Sequence, residues 1–465
     1  MRFGFLFIMM ITSRLLCKGL RSFSLTNGIT TSLSMSATKS SSLQINFDKP
    51  LLVSAPMVDH SELAFRLLVR QNGADLAFAQ MMHSKNFITD PKYRNNCMDW
   101  MNYSSPSSST SSSSISSNNI SALQSKQKDR PLIVQLAGND VDVLLRAGRL
   151  LHHQDITAID LNLGCPQKIA KKGNYGAYLL SNKDLIRCML TEMVTQLDCP
   201  ITAKIRRLET EEETLELARM LQDTGISMLT VHGRTVHQNK LFTGAADWDM
   251  IRKIKDTVSI PVIANGGIGC YDDIRACLEA TGADGVMSSE ALLENPKLFT
   301  EEGDRRFRED YVKCQFETVD EYLSLLNAHP LPRELMGTVR SHLFPMLFRF
   351  VNAPAHLDLR HQLATGRYTE MIEVVEVLKQ RLSVVDFNME MALEKELISP
   401  SIWYMRHRTE EARSRILSRK RAIVRSEEKN RYITKKESEA DISVRLQQLK
   451  QRLKNKREVA QTHVQ

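Results

Sequence analysis

Residues 156–167 read ITAIDLNLGCPQ, an apolar, β-branched run that stops abruptly at Gly164, Cys165 and Pro166. Glycine and proline are turn residues, so the pattern predicts a buried strand whose end turns sharply and presents a thiol. In parallel α/β proteins the strand ends carry the chemistry. Whether Cys165 acts as nucleophile, ligand or acid depends on its protonation state, which the rest of the chain must set.

Working outward, further short apolar runs lie at 51–54, 75–79, 132–136, 201–205, 228–232, 262–264 and 285–287. With 156–161 they make eight, separated by amphipathic stretches. That pattern over residues 48–300 fits an α/β fold of the (β/α)8 TIM barrel type. An open doubly wound sheet shares the periodicity and stays an alternative, although no Gly-x-Gly-x-x-Gly follows the first strand. The serine-rich stretch at 104–119 cannot bury a core and is expected as a disordered insertion in the barrel. Residues 301–332 carry mixed charge and look like a connector. From 333 to 390 the pattern turns helical, with Leu335, Val339, Leu343, Leu347 and Val351 at helical spacing and Pro345 placed to kink or divide the first helix. A second helix is expected at 370–381. The tail, 391–465, is dense in Arg, Lys and Glu, with a short apolar seam at Ile442, Leu446, Leu449 and Leu453. It reads as a solvated, partly ordered charged helix or as an RNA-contacting arm.

The formal net charge of +8 favours an anionic partner. The eight cysteines are scattered without a C-x-x-C pair, so neither a zinc site nor a disulfide framework is expected. Reduced thiols point to a cytoplasmic or nuclear location. Residues 1–47 form an N-terminal extension: Arg2 precedes an apolar run too short to cross a bilayer, and no acidic residue appears before Asp48. With Arg14, Lys18, Arg21 and many serines, this composition leaves a mitochondrial presequence as the alternative. No stable membrane association is expected, and the chain is expected to be a monomer.

Taken singly, polar residues at the strand ends have plain explanations. Gln135 or His232 alone is more often a hydrogen-bonded structural residue, Lys204 a surface charge, and Asn265-Gly266-Gly267 a turn. In a barrel, however, all these ends open on one face and converge on one pocket. Glycines after the last strands let backbone N–H groups approach an anion. Gln135 offers a donor and an acceptor to a polar ring edge. Lys204 supplies positive charge to a reduced flavin ring, and His232 a donor to a phosphate or ring oxygen. This set suits FMN better than a sugar phosphate.

Ala55-Pro56-Met57, Val134-Gln135-Leu136, the run from Asp160 to Pro166, Gly173 with Gly176-Ala177, Lys204-Ile205-Arg206, His232-Gly233-Arg234-Thr235 and Asn265-Gly266 follow one another in this order. Over residues 48–385 the chain resembles the tRNA-dihydrouridine synthases, FMN-dependent barrel enzymes with a C-terminal helical domain. The Leu-Asn-Leu-Gly-Cys-Pro-Gln version is similar to the eukaryotic branch that modifies D-loop positions 16 and 17. The resemblance implies FMN contacts from Pro56, Met57, Val58, Gln135, Lys204, His232, Asn265, Gly266, Gly267, Ser289 and Glu290. It implies Cys165 as the proton donor, tRNA as the substrate, and NADPH (or NADH) as the electron source. At one point the chain departs from the pattern. Many members carry Gly-Arg on the loop after the last strand, where this chain has Ser289-Glu290, which leaves backbone amides near Ser289 to hold a phosphate.

Reduction of a uracil needs a hydride at C6 and a proton at C5. A carboxylate is ionised at neutral pH, whereas a thiol of pKa ~8.5 is still mostly protonated and can donate. The uridine must leave the RNA stack to react. Asn162 and Arg206 near the turn are expected to face that substrate. Lys168, Lys171 and Lys172 beyond it are expected to meet phosphates. On the helical domain Arg340, His342, Arg349 and Arg360 are candidates for the same role, with ordinary surface charge as the alternative. Two other functions remain open at this point. One is a small-molecule FMN oxidoreductase of the dihydroorotate dehydrogenase type; the other is a non-catalytic RNA-binding barrel.

Overall fold

A computed structural model describes residues 43–101, 129–151, 154–239, 242–332, 335–382, 389–406, 408 and 414. The serine-rich stretch at 104–119, most of the N-terminal extension and the apolar seam of the tail lie outside the described residues.

Eight parallel strands close a barrel: β1 (Leu51–Ser54), β2 (Leu76–Phe78), β3 (Leu132–Ala137), β4 (Ala158–Leu163), β5 (Ile201–Arg206), β6 (Met228–His232), β7 (Val262–Asn265) and β8 (Gly285–Ser288). Neighbours in sequence pair in register throughout, β1 pairs with β8 through Leu51 opposite Gly285, and β2 pairs with β3 through Ala77 opposite Leu132. The two-residue strand Met82–His83 adds to the upper end of β3, opposite Leu136 and Ala137. Helices follow the strands, and their apolar faces pack on the outside of the sheet. Among the described residues no helix is long and apolar enough to cross a membrane.

The two-residue period of the strands sorts the barrel interior by height. At the bottom, Leu51, Val53, Leu76, Phe78, Ile133, Ala158, Met228, Ile263 and Met287 form a dry cluster, with Leu43, Ile45 and Phe47 packed against it. Two residues further up the same inward face stand Gln135, Asp160, Thr230 and Asn265, joined by Thr202 from β5, and then Asn162, Lys204 and His232. The inner wall therefore turns from apolar to polar in one step towards the C-terminal mouth.

The expected connector is instead two helices, Glu301–Glu309 and Tyr311–Ala328. Tyr311, Cys314, Thr318, Val319, Tyr322 and Leu326 recur at helical spacing along the second and are buried against the barrel and the helices that follow. Its surface charges mask that stripe in the sequence. The helical region then follows as Met336–Met346, Phe348–Val351, Leu357–Thr365 and Tyr368–Leu382. Pro345 lies in the last turn of the first of these, which ends one residue later. A short helix, Met389–Glu394, comes next, and most of the charged tail beyond residue 408 lies outside the described residues. Residues 399–408 return to the barrel mouth.

Candidate active site

The mouth of the barrel holds a cavity of two lobes, of about 1170 Å³ and 530 Å³. Arg206, His232, Asn265, Ser289 and Glu290 form their common wall. The larger lobe lies over the ends of β1, β3, β4 and β5 and includes Pro56, Met57, Val58, Gln135, Cys165 and Lys204. The smaller lies over β6, β7 and β8 and includes Arg234, Gly266 and Gly267. The strand-end residues that composition and order singled out thus meet in one place.

Cys165 is partly buried at the rim of the larger lobe. Asn162 builds its turn: the side-chain oxygen accepts from the N–H groups of Gly164 (3.1 Å) and Cys165 (3.0 Å), while its amide donates to Gln135 Oε1 at 2.7 Å. Asn162 was expected to face the substrate, but most of its polar capacity holds the protein's own backbone and Gln135. A Cβ on Gly176 would come within 2.9 Å of Cys165 Cβ, and Gly176 has φ +65°, so only glycine lets the following turn close on the thiol. Burial raises the Cys165 pKa above the ordinary thiol value, against weaker opposing effects from the Gln167 N–H, Arg206 and Lys204. The group is therefore held as SH at neutral pH.

Beneath the thiol runs a chain of side-chain hydrogen bonds. Gln135 Nε2 donates to Asp160 Oδ2 (2.8 Å) and Thr202 Oγ1 to Asp160 Oδ1 (2.6 Å). Burial pushes the Asp160 carboxyl up to about 6. Lys204 Nζ donates to Asn265 Oδ1 at 2.8 Å, and Asn265 in turn donates to the Met287 carbonyl. Burial, assisted by Arg206, brings the Lys204 ammonium down to about 8, so its charge is present at neutral pH but weakly held. Arg206 was expected against the substrate. It is 8% exposed and donates to the carbonyls of Gly164, Thr235 and Gln238, so it braces the Cys165 turn and the cavity wall together.

His232 is partly buried, and desolvation plus Arg206, Lys204 and Arg234 hold it neutral. Arg234 Nη1 lies 3.1 Å from His232 Nε2. A guanidinium can only donate, so Nε2 accepts and the ring proton sits on Nδ1. Gly266 (φ +104°) and Gly267 (φ +89°) follow β7, and a Cβ on Gly266 would stand 2.8 Å from the His232 ring. The two positions leave a backbone-lined hollow beside a histidine and an arginine, as an anion requires.

Glu290 departs most from expectation. It was expected to lie against the cofactor with no cation at its own loop. Instead it pairs with Arg408 (2.5 Å) and Arg406 (3.3 Å), which come from beyond the helical region. These two cations outweigh burial and keep its carboxyl below the usual range. Arg234 carried a motif but no role in the sequence reading, and Arg406 and Arg408 gave no signal at all, being more than a hundred residues from their partner.

The basic candidates divide sharply. Lys168, Lys171 and Lys172 are exposed on the short helix after the Cys165 turn; Lys168 and Lys172 border the larger lobe, while Lys171 lies at a separate cleft. The helical-region candidates are each engaged with partners inside the protein. Arg349 is 8% exposed, donates to the Ser399 carbonyl (2.9 Å) and stacks 4.6 Å over the Tyr311 ring. Arg340 donates to the carbonyls of Leu363 and Gly366, closing a helix end. His342 is fully buried, 2.7 Å from Glu62, and Arg360 is held by Asn352 and the Phe344 ring. The pattern of helix and charge was right for a surface, but partners distant in sequence draw these groups inward.

A family profile described as Dihydrouridine synthase matches residues 53–381. A protein of Rattus norvegicus named tRNA-dihydrouridine(16/17) synthase NAD(P)(+)-like is 38% identical over 350 residues, 75% of this chain and 70% of that protein. The tRNA-dihydrouridine(16/17) synthase of Saccharomyces cerevisiae is 38% identical over 324 residues, 69% of this chain and 70% of its own. A Mus musculus protein named as a tRNA-dihydrouridine(20a/20b) synthase is 34% identical over 276 residues, covering 59% of this chain and 75% of that one.

Proposed function

The chain belongs to the dihydrouridine synthase family, and on that premise we propose that it reduces the C5–C6 double bond of uridine in tRNA, giving dihydrouridine. The D-loop positions are 16 and 17, as in the names of the rat and yeast relatives at 38% identity. FMN is the resident cofactor and NADPH (or NADH) the electron source. The reading assigns the enzyme to the cytoplasm or nucleus, with mitochondria as the alternative if the first forty residues act as a presequence; a tRNA substrate and scattered thiols support it.

Pro56, Met57, Val58, Gln135 and Lys204 would hold the flavin ring system over the larger lobe, and His232, Asn265, Gly266, Gly267 and Ser289 its phosphate end. The bound reduced flavin supplies the hydride that C6 of the uracil receives. Lys204 places a positive charge where the ring carries negative charge, and Gln135, locked by Asp160 and Asn162, presents its remaining N–H to a ring edge. Cys165 stands at the rim of the same lobe with its proton retained by burial and delivers it to C5 as the enolate charge develops there. Its replacement proton comes from solvent, since the residue is only partly buried. Lys168 and Lys172 at the mouth attract the RNA backbone and direct the extruded base inward. A free pyrimidine such as dihydroorotate would need neither lysine.

The single observation that carries this reading is the presence of Cys165, kept protonated, in the same cavity as Lys204 and Gln135. The test is to purify the full chain, record its absorbance, and measure dihydrouridine in unmodified tRNA supplied with NADPH. A bound flavin and new dihydrouridine at positions 16 and 17 are expected. Cys165→Ala should keep its flavin and lose about 100-fold or more in product formation. Flavin without tRNA reduction would return the small-molecule reading.

A further inference from the structure

The smaller lobe of the cavity is lined by Arg206, Arg234, Arg406 and Arg408 against the single carboxylate of Glu290. Two of these four cations belong to a strap, residues 399–406 and 408, that follows the helical region in the chain. The strap is fastened along its length. Ser399 and Arg349 exchange backbone and side-chain bonds at 2.7 and 2.9 Å. The Glu294 carboxylate accepts the N–H groups of Trp403 (2.9 Å) and Tyr404 (3.0 Å). Tyr404 lies so close over the loop after β7 that a Cβ on Gly269 would stand 2.4 Å from its ring. Arg406 stacks 3.4 Å over Trp403, and Arg408 lies 3.9 Å over Tyr404.

We infer that this strap completes the anion end of the flavin pocket, with Arg408 as a binding residue for a terminal phosphate monoester. Arg408 reaches the lobe with donors in hand. One Nη2 hydrogen is directed to Glu290 and one Nη1 hydrogen to the Tyr404 carbonyl, and its buried Nε has no partner among the described residues. Glu290 orients the guanidinium without neutralising the lobe, because one carboxylate faces four arginines. Four buried or partly buried guanidinium groups around one carboxylate leave the lobe with an excess of positive charge that favours an anion. A phosphate monoester matches the fork of an arginine geometrically and carries the required charge.

The inference rests on the flavin reading above, and riboflavin separates the two, since it has the ring system and lacks the phosphate. FMN and riboflavin dissociation constants are measured on the full chain, freed of flavin by dialysis, through quenching of flavin fluorescence. Wild type is expected to prefer FMN. Arg408→Ala and the near-isosteric Arg408→Gln should weaken FMN about 10- to 100-fold and leave riboflavin unchanged. Arg408→Lys, which keeps the charge but not the fork, should recover part of the loss. Equal weakening of both flavins would reduce the strap to packing and overturn the proposal, as would an unchanged FMN constant in both neutral variants. Binding of neither flavin by wild type would defeat the flavin reading itself, before any variant is made.

Discussion

The helix that follows the Cys165 turn and the helical region at 336–382 carry two sets of cations that look alike in the sequence. In the first, Lys168, Lys171 and Lys172 stand in solvent on a helix of six residues. In the second, Arg340 and Arg349 are held by backbone carbonyls, Arg360 by Asn352 and Phe344, Lys379 by Asp320 and Glu376, and Arg381 by Asp358. A guanidinium carries five donors in a flat fork and an apolar stem, so it works well as an internal strut; a lysine hydrates strongly and stays outside. The difference teaches that exposed cations gather beside the Cys165 turn, whereas those of the helical region serve as internal struts, with Arg349 fastening the strap at Ser399.

The sharpest way to break that comparison is the pH dependence of single-turnover reduction, which reads Cys165 and Lys204 and none of the helical-region cations. An acid catalyst works below its pKa, and both relevant groups lose protons as pH rises. Lys204 loses its charge near 8, and Cys165, raised by burial, loses its proton higher still. The rate is expected to be flat through neutrality, to fall about tenfold per unit above the Lys204 value, and to fall more steeply once Cys165 also loses its proton. A rate rising with pH would make the thiolate the working form. Next in size, the double variant Lys168→Glu/Lys172→Glu should weaken tRNA binding roughly 10- to 30-fold and lower the salt slope by about 0.7 to 0.9 for each lysine. An unchanged salt slope would remove both from the interface.

Arg349→Ala should cost about 2–3 kcal/mol of stability in denaturant titration, through its lost carbonyl bond and its ring contact. The folded protein should then bind tRNA within about twofold of wild type. A large loss of tRNA affinity with stability intact would restore Arg349 to the RNA surface. The smallest effect is expected at Lys171, which faces away from the cavity mouth. Lys171→Ala should alter tRNA affinity by less than about threefold in the same assay.

The barrel was legible because parallel strands buried on both faces leave short, continuous apolar runs, and all eight stand within a few residues of their expected places. The mouth was legible because the fold sends every strand end to one face. What each polar residue does there was not. Asn162 and Arg206 read as substrate contacts, yet they bond chiefly to the turn and the cavity wall, since a tight turn and a buried loop leave N–H and C=O groups that something must satisfy. The helices at 301–328 escaped notice because their apolar stripe is narrow and flanked by charge on both sides.

By itself, the sequence determined the barrel, the position of Cys165 at the end of β4, and the set of residues gathered at the mouth, because these follow from local periodicity and from turn chemistry. Only the tertiary structure decided the protonation state of that thiol, the inward fate of Arg340 and Arg349, and the return of residues 399–408 to pair with Glu290. Each of these is set by desolvation or by partners far away along the chain, and neither leaves a mark on neighbouring residues. Residues 165 and 408 therefore stand at opposite ends of what a sequence can tell: one is announced by its own turn, the other only by the carboxylate it reaches.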